Sequence, residues 1–331
     1  MKIGLFGAGR MAADHAMNIL SSGMASLEWV VDPNEDAGRS FAERYRCHYY
    51  PTWSDAVESK KVDAFVIVSS SHTHVGLIHH LAPLTKPIFC EKPIAIDTAQ
   101  VRECLAVLNQ YRVPFLLGFN RRYDWNFAEL HKRLHRGDLE DIHMVCITSR
   151  DHPGPSIPYL RTSGGIYHDM TIHDFDMSRW MLGENVSEVF ATGSTLFLPE
   201  LKEFGDVDST VVVLKTPSGK IAQINNSRFA VYGYDQRIEV FGKKGMLRCE
   251  NVGLTNVEAF SETASSWDKP HFSFPQRYKE AFRAEMMHFL EDVVRDGKAP
   301  RIGAEDGLQA NLIADAAKKS LLSGKAEAVL S

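Results

Sequence analysis

The fold is decided by one stretch near the start of the sequence, KIGLFGAGRMA (residues 2–12). Residues 2–6 are typical of a short apolar strand, and a helical pattern follows over residues 11–20. A G-x-G-x-x-A pattern joins the two segments. Its first glycine, Gly7, permits a tight turn, and its second, Gly9, lets the backbone approach a pyrophosphate at the positive end of the helix. The stretch therefore predicts a dinucleotide-binding turn.

An acidic residue follows the next predicted strand, which spans residues 27–31. Asp32 lies roughly 20 residues beyond the glycine pattern, where a carboxylate binds the ribose hydroxyls of the adenosine. Two like charges about 4 Å apart repel by about 4 kcal/mol at an effective dielectric constant of about 20. A 2′-phosphate beside Asp32 is thus disfavoured, and we expect NAD as the cofactor. A glycine turn without a ligand, followed by a solvated Asp32, is the alternative.

Strands and helices alternate over the first part of the chain. Residues 62–68 form a nearly continuous apolar run, as in a strand of a parallel sheet that is buried on both faces. Strand patterns at 87–90 and 113–117 follow, with a helical pattern at 98–110 between them. The alternation predicts an α/β fold with a doubly wound parallel sheet, a Rossmann domain over residues 1–120.

The pattern changes near residue 121. Several strands follow one another over residues 186–249 without helices between them, which predicts a mainly antiparallel open sheet. Helical patterns occur at 165–182, 276–296 and 304–322. We therefore expect a C-terminal α+β domain over residues 121–331.

Composition excludes several classes of partner. The 331 residues include 37 Lys+Arg and 42 Asp+Glu, a net charge of −5, so no basic excess points to nucleic acid. No apolar run approaches the roughly 18 residues of a membrane span, and the first residues do not resemble a signal peptide. The five cysteines are scattered and form no CxxC pair. We expect a cytoplasmic protein with reduced thiols and no membrane partner.

Two further motifs carry side chains suited to catalysis. Glu91-Lys92-Pro93 directly follows a predicted strand, and ligands of open parallel sheets bind outside the carboxyl ends of the strands. Lys92 can therefore point at a substrate, although a surface lysine before a turn proline fits equally well.

The second motif lies on the helix predicted at 165–182. Asp169 and His173 are i,i+4 neighbours, and Asp176 lies three residues further, so all three share one helix face. A histidine in this setting can act as a general base that a carboxylate orients. A surface pair of Asp and His is the alternative. An Asp-x-x-x-His metal site is a further one, but no third ligand has recognisable spacing and we predict no metal.

Together, the segments GAGRMA (7–12), EKP (91–93), GFNRRYD (118–124) and GGIYHDMTIHDFDM (164–177), with Asp32, resemble the Gfo/Idh/MocA oxidoreductases. The resemblance covers essentially the whole chain. Within the family the likeness is to members that oxidise myo-inositol, and it rests on the Asp-Met-Thr-Ile-His-Asp-Phe-Asp string of the last segment, on SRD (149–151) and on VYGYD (231–235). His152, where the family is expected to have proline, is a departure in a loop that faces the substrate.

The resemblance implies an NAD-dependent dehydrogenase that oxidises a cyclitol hydroxyl to a ketone, with myo-inositol to 2-inosose as the expected reaction. His173 would take the hydroxyl proton and Lys92 would stabilise the same oxygen, while Asp169 would orient His173 or hold the substrate. The implied catalytic residues are Lys92, Asp169 and His173. The implied substrate-binding residues are Arg122, Asp151, Asp176 and Tyr234. The implied cofactor-binding residues are Gly7, Gly9, Arg10, Met11, Asp32, Ser69, Glu91, Lys92 and Asn120.

Family members often form tetramers through the open face of the C-terminal sheet, which implies a homotetramer. The sequence supports this independently, because Val211-Val212-Val213-Leu214 is apolar on both alternating faces. An antiparallel sheet that is covered on one side should alternate between apolar and polar residues. Another subunit is the simplest cover for the second face.

Three other functions stay open at this point. The first is the same chemistry on another inositol isomer or an aldose. The second is an NAD-dependent glycoside hydrolase, which would not release NADH. The third is a non-catalytic NAD-binding sensor, which would show no steady-state turnover and would not need Lys92, Asp169 and His173 together.

Overall fold

The computed structural model describes residues 1–59, 61–152 and 154–330. The chain forms two compact units. The first contains Met1–Tyr123 and Glu280–Leu308, and the second contains Asp124–Lys279 and the chain from Gln309 onward. The division predicted from the sequence differs for one segment, because residues 280–308 were expected in the second domain and pack within the first unit.

Two aromatic side chains explain this difference. The ring of Phe282 lies 5.9 Å from that of His15, and the ring of Phe289 lies 5.8 Å from that of Phe89, measured between centroids. An amphipathic pattern shows that a helix has an apolar face, but it does not show which sheet that face covers. The partners of Phe282 and Phe289 therefore could not be predicted from the helical spacing of apolar residues.

A parallel six-stranded sheet forms the centre of the first unit, with the strand order β3-β2-β1-β4-β5-β6. This confirms the predicted doubly wound sheet. The order reverses direction between β1 and β4, and in such sheets ligands bind in the crevice outside the carboxyl ends of the strands at that point. The strands are β1 (Lys2–Phe6), β2 (Ser26–Val31), β3 (His48–Tyr50), β4 (Ala64–Ile67), β5 (Ile88–Glu91) and β6 (Phe115–Gly118).

A seven-stranded sheet forms the centre of the second unit, in the order β12-β11-β7-β10-β9-β8-β15. Its pairs are antiparallel except for β7 and β10, which confirms the predicted mainly antiparallel sheet. Strands β13 and β14 form a separate hairpin. The strands are β7 (Ile142–Arg150), β8 (Glu188–Ser194), β9 (Ser209–Lys215), β10 (Ile221–Ser227), β11 (Asp235–Gly242), β12 (Gly245–Cys249), β13 (Glu258–Phe260), β14 (Ser265–Trp267) and β15 (Glu327–Ala328).

The α-helices are α1 (Arg10–Ser21), α2 (Glu35–Tyr45), α3 (Trp53–Ser59), α4 (His74–Leu81), α5 (Thr98–Gln110), α6 (Trp125–His135), α7 (Ile157–Leu160), α8 (Ile172–Leu182), α9 (Phe274–Arg277), α10 (Lys279–His288) and α11 (Ala304–Ser323). Short 3₁₀ turns occur at Ser71–Thr73, Ala82–Leu84, Asn120–Tyr123 and Pro199–Phe204. None of the described helices combines the length and the apolar composition needed to cross a membrane.

The helix predicted at 165–182 begins differently from the expectation. Gly164 and Gly165 have φ angles of +88° and +85°, outside the right-handed helical region, so a regular helix cannot begin at residue 165. A π-helical turn at Tyr167–Thr171 comes first, and the α-helical part starts at Ile172. Asp169 therefore lies on the wider turn, and the ideal i,i+4 spacing used to group it with His173 does not describe this segment.

Candidate active site

The glycine turn of the first unit has the geometry that a dinucleotide requires. Gly7 has a φ angle of +104°, and a Cβ there would lie 2.9 Å from the backbone of Ser69. A Cβ at Gly9 would meet open space, so the backbone at the start of α1 is accessible to a ligand. The N-cap residue of α1 is Gly9, which has no side chain to cap the first turn, and the N–H groups at such a helix start suit phosphate oxygens. These features fit a bound pyrophosphate.

Asp32 follows β2, the neighbour of β1, and its carboxylate braces the same turn. Its Oδ2 accepts the N–H of Ala8 at 2.8 Å, and its Oδ1 accepts the N–H of Asn34 at 2.8 Å. Each carboxylate oxygen has a second lone pair for a ribose hydroxyl. Asp32 thus shapes the glycine turn as well as presenting a negative charge, a double role that the sequence pattern does not reveal.

A buried histidine links two cofactor-side segments of the first unit. His74 is 1% exposed, and its ring nitrogens lie 2.9 Å from the carbonyl oxygen of Pro93 and 3.0 Å from that of Ser69. Burial lowers the pKa of His74, so the neutral ring donates to one carbonyl at a time. His74 therefore couples the loop after β4 to the segment after β5.

Strand β5 ends at Glu91, which is the centre of a polar cluster. Its Oε1 lies 2.8 Å from Nε2 of the buried His15, and its Oε2 accepts the backbone N–H of Lys92 at 3.2 Å. Gly118 on the paired strand β6 leaves room for this carboxylate, because a Cβ there would lie 3.1 Å from Oε2. The backbone of the candidate catalytic Lys92 is thus held by the side chain that precedes it.

Arg122 forms an ion pair within the first unit. Its Nη2 lies 2.8 Å from Oδ1 of Asp306, whose Oδ2 accepts the backbone N–H of Gly303 at 3.0 Å. The Arg122 side chain is 11% exposed, and its guanidinium is a planar group with five N–H donors. Asn120, two residues earlier, is buried.

Asp169 in the second unit receives two hydrogen bonds. Nη1 of Arg228 lies 3.0 Å from its Oδ2, and the hydroxyl of Tyr159 donates to its Oδ1 at 2.7 Å. Arg228 is fully buried, and its Nη2 lies 3.8 Å from a second carboxylate, Asp206. Burial and the charge of Asp169 raise the pKa of Tyr159, which keeps its hydroxyl a donor. The contacts fix Asp169 as a hydrogen-bond acceptor.

Asp151, Arg228 and Tyr234 lie at the same end of the second sheet, where β7 and β10 finish and β11 begins. Asp151 follows β7 and donates its backbone N–H to the carbonyl of Ser227 at 2.9 Å, directly before Arg228. Tyr234 precedes β11, is 5% exposed, and packs its ring 5.9 Å from that of Tyr278. The parallel pairing of β7 with β10 brings these chain segments together.

Helix α8 carries the other two candidates. His173 is half-buried, whereas Asp176 is only 1% exposed. The helix is anchored to the same end of the sheet, because Asn226 of β10 donates to Asp174 Oδ2 at 2.9 Å and accepts from Thr171 Oγ1 at 2.7 Å. His173 thus belongs to a helix whose position is set by buried hydrogen bonds.

Comparison with known proteins identifies the family. Residues 1–119 match the profile described as "Oxidoreductase family, NAD-binding Rossmann fold", and residues 127–248 match the "GFO/IDH/MocA C-terminal domain". The chain belongs to the Gfo/Idh/MocA oxidoreductase family. It is 41% identical over 322 residues to myo-inositol 2-dehydrogenase of Thermotoga maritima, covering 97% of this chain and 96% of that one.

Two other proteins are similar over nearly their whole length. Inositol 2-dehydrogenase of Rhizobium meliloti is 41% identical over 324 residues, which is 97% of each chain. The crystal structure of a myo-inositol dehydrogenase from Corynebacterium glutamicum superposes with a TM-score of 0.95 at 35% identity, covering 100% of this chain and 99% of that one. These findings confirm the predicted fold, the NAD-dependent dehydrogenase class and the family resemblance.

The structure places the predicted cofactor residues in one region of the first unit. They lie at the carboxyl ends of β1, β2, β4, β5 and β6, in the loops that follow these strands, or at the start of α1: Gly7, Gly9, Arg10, Met11, Asp32, Ser69, Glu91, Lys92 and Asn120. Their individual roles stay predictions, as do those of the substrate and catalytic residues. Among the described residues, no group of three or more His, Cys, Asp or Glu side chains is arranged to hold a metal ion.

Sequence reasoning missed Arg228 and Tyr159, which contact Asp169, and Asp206, which lies beside Arg228. One signal was available for Arg228. An arginine directly after the strand pattern IAQINNS (221–227) is a candidate for a buried cation at the end of a strand. Its partner Asp169 lies 59 residues earlier in the chain, so no local pattern connects the two.

Proposed function

We propose that this protein oxidises the 2-hydroxyl of myo-inositol to the ketone 2-inosose, with NAD as the hydride acceptor. The observation that carries the proposal is the 41% identity to myo-inositol 2-dehydrogenase over 97% of the chain. The glycine turn and Asp32 support the cofactor assignment, because they provide a phosphate cradle and ribose acceptors within one unit.

NAD, when bound, is the hydride acceptor, and residues of this chain bind the cofactor, orient the substrate and take up the proton. We propose that the backbone at Gly7 and Gly9 holds the diphosphate and that Asp32 accepts hydrogen bonds from the ribose. Both carboxylate oxygens of Asp32 are already fixed by backbone N–H groups, so the acceptors are oriented before the cofactor arrives.

The proton of the substrate hydroxyl is assigned to His173, and the hydrogen bond that stabilises the same oxygen is assigned to Lys92. General base catalysis contributes about 10²–10⁴-fold, and a donor at a developing negative charge contributes a similar amount. Asp169 would act as an acceptor toward His173 or a substrate hydroxyl. Its fixation by Arg228 and Tyr159 supports an acceptor role.

The remaining hydroxyls of a cyclitol require several polar partners. We assign them to Arg122, Asp151, Asp176 and Tyr234. Arg122 is held by Asp306 in a defined orientation, which suits a donor that must recognise one face of a rigid ring. His152, next to Asp151, stands where the family is expected to have proline. Discrimination between cyclitols would depend on this residue.

The same proposal includes a homotetramer in the cytoplasm. The outer face of the second sheet supports the assembly, since Val211, Val213 and the cross-strand Phe190 are 41%, 37% and 41% exposed. Their neighbours Val212 and Leu214 are fully buried on the opposite face. Val213→Glu should lower the mass measured by light scattering, whereas a monomeric wild type would contradict the assembly.

The substrate assignment is tested by steady-state NADH formation with a panel of inositols and aldoses. Myo-inositol should give the highest kcat/KM, with NAD preferred over NADP. A higher kcat/KM for scyllo-inositol or an aldose would transfer the assignment to that substrate. Cleavage of an aryl glycoside without NADH release would indicate the hydrolase, and no turnover with any polyol would indicate a sensor.

A further inference from the structure

A fully buried carboxyl group on α10 has no partner among the described residues. Glu285 is 0% exposed, and neither of its carboxyl oxygens has a hydrogen-bond partner. An unsatisfied buried polar group costs about 1–3 kcal/mol, and a charged one costs more. Such a group requires an explanation, and the proposed reaction does not use it directly.

The packing of α10 directs Glu285 toward Glu91. Phe282 lies one turn before Glu285 on the same helix face, and its ring packs 5.9 Å from the ring of His15. His15 in turn contacts Phe89, at 5.0 Å between ring centroids, and bonds Glu91 at 2.8 Å. Phe89 and Glu91 share one face of β5, because side chains alternate along a strand.

The segment that follows α10 closes the cluster from the other side. Phe289, one turn beyond Glu285, packs 5.8 Å from Phe89. Glu285 therefore lies between two aromatic side chains that both contact the His15–Phe89–Glu91 group. The titratable groups that face it are Glu91 on β5, Tyr123 after β6 and, through Glu91, His15 on α1.

Two neighbouring carboxylates, one of them fully buried, cannot both be charged without strong repulsion. Glu91 is the better candidate for the charged form, because it accepts from the backbone of Lys92 and lies beside the ring nitrogen of His15. Burial and the charge of Glu91 raise the pKa of Glu285 well above its usual value. A proton on Glu285 removes its charge and with it the repulsion of Glu91.

We infer that Glu285 is a positioning residue for the dehydrogenase reaction: because it is a neutral carboxyl group, the neighbouring Glu91 can stay charged and keep its bonds to His15 and to the backbone N–H of Lys92. The inference rests on the proposed role of Lys92. When Glu285 loses its proton at alkaline pH, the two carboxylates repel, Glu91 moves, and the Lys92 side chain leaves its position on the substrate oxygen. Turnover should then fall at the alkaline end of the pH profile.

Turnover and protonation test this inference separately. The pH dependence of kcat and KM would be measured for the full-length wild type, Glu285→Gln and Glu285→Leu. Glu285→Gln is uncharged at every pH, so its kcat at neutral pH should stay within about 3-fold of wild type while the alkaline fall disappears. Glu285→Leu also removes the charge, so its alkaline fall should disappear as well. Glu280→Gln, an exposed carboxyl on the same helix, is the matched control and should keep the wild-type profile.

Infrared spectroscopy gives a second readout that needs no substrate. The wild type at neutral pH should show the C=O stretch of a protonated carboxyl group, and Glu285→Gln should lack it. An absent band in the wild type, or an unchanged alkaline fall in Glu285→Gln, would overturn the inference even if Glu285→Leu does not fold. Absence of NADH formation by the wild type with every polyol would instead refute the proposed function, while the infrared band would still report on Glu285.

Discussion

The two units hold their central carboxylates in opposite ways. In the second unit, Asp169 is bound by the buried guanidinium of Arg228, with Asp206 as a second carboxylate nearby. In the first unit, Glu91 is bound by the ring of His15 and a backbone N–H, next to the buried Glu285.

The second unit holds its carboxylates with a charged side chain, whereas the first unit depends on the proton bound to Glu285. The second cluster contains the buried positive charge of Arg228, so removing that charge takes the cation away from both carboxylates. The first cluster includes no buried cation among these side chains and depends on a proton, so it responds to pH. Substitutions in the second unit should therefore have the larger effects on stability, and those in the first should change pH profiles.

The largest effect should come from removing a proposed reacting group from either unit. Lys92→Ala and His173→Ala should each lower kcat at least about 10²-fold, the low end for loss of a general base or an oxyanion donor. The double variant should be hardly worse than the worse single one, because groups that serve one proton-transfer step are strongly non-additive. Steady-state NADH formation measures all three. Near-wild-type turnover in His173→Ala would remove it as the base.

Arg228→Met should have the next largest effect. It leaves Asp169 and Asp206 without their buried cation, and breaking a buried ion pair costs about 3–5 kcal/mol. The free energy of unfolding, measured by urea denaturation, should fall by that amount, and kcat should fall with it. Arg161→Met is the matched control, because the Arg161–Glu203 pair is 48% and 61% exposed and should contribute at most about 1 kcal/mol. Equal losses in the two variants would contradict the role given to Arg228.

Changing Asp32 should have a moderate effect on cofactor choice. Asp32→Ser removes the acceptors for the ribose and the charge that repels a 2′-phosphate, so the ratio of kcat/KM for NADP to that for NAD should rise at least about 10-fold. Because Asp32 also accepts from Ala8 and Asn34, NAD binding should weaken as well. Asp36→Ser, on the exposed first turn of α2, should leave the ratio unchanged. A wild type that already prefers NADP would refute the role of Asp32.

The smallest effect should be the pH dependence of stability due to Glu285. Its pKa is raised in the folded state, so the folded state binds more protons than the unfolded state above the ordinary glutamate pKa of about 4.3. Its contribution to the free energy of unfolding is therefore fully present below that pKa and is lost as pH rises through the folded value. Urea denaturation at several pH values should show a shallower decline in Glu285→Gln. Parallel curves for the two proteins would indicate that Glu285 is not protonated in the folded state.

The sequence predicted the features of the fold that depend on neighbouring residues. The glycine turn, Asp32 and the alternating strands of the first unit are local patterns, and each occurs where expected. The helix containing Asp169 was predicted too regularly, because the two positive-φ glycines before it and the π-helical turn have no periodic signature. The partners of Glu285 and Arg228 could not be predicted, since they lie far away in the chain.

The central claim is hydride transfer from carbon 2 of myo-inositol to NAD. Its most direct test uses myo-inositol that carries deuterium at carbon 2, followed by mass spectrometry of the reduced cofactor. The account predicts NADH that is heavier by one deuterium, a slower turnover than with unlabelled substrate if hydride transfer limits the rate, and no label when the deuterium is placed on another carbon. Reduced cofactor without deuterium from carbon 2, or no reduced cofactor at all, would contradict it.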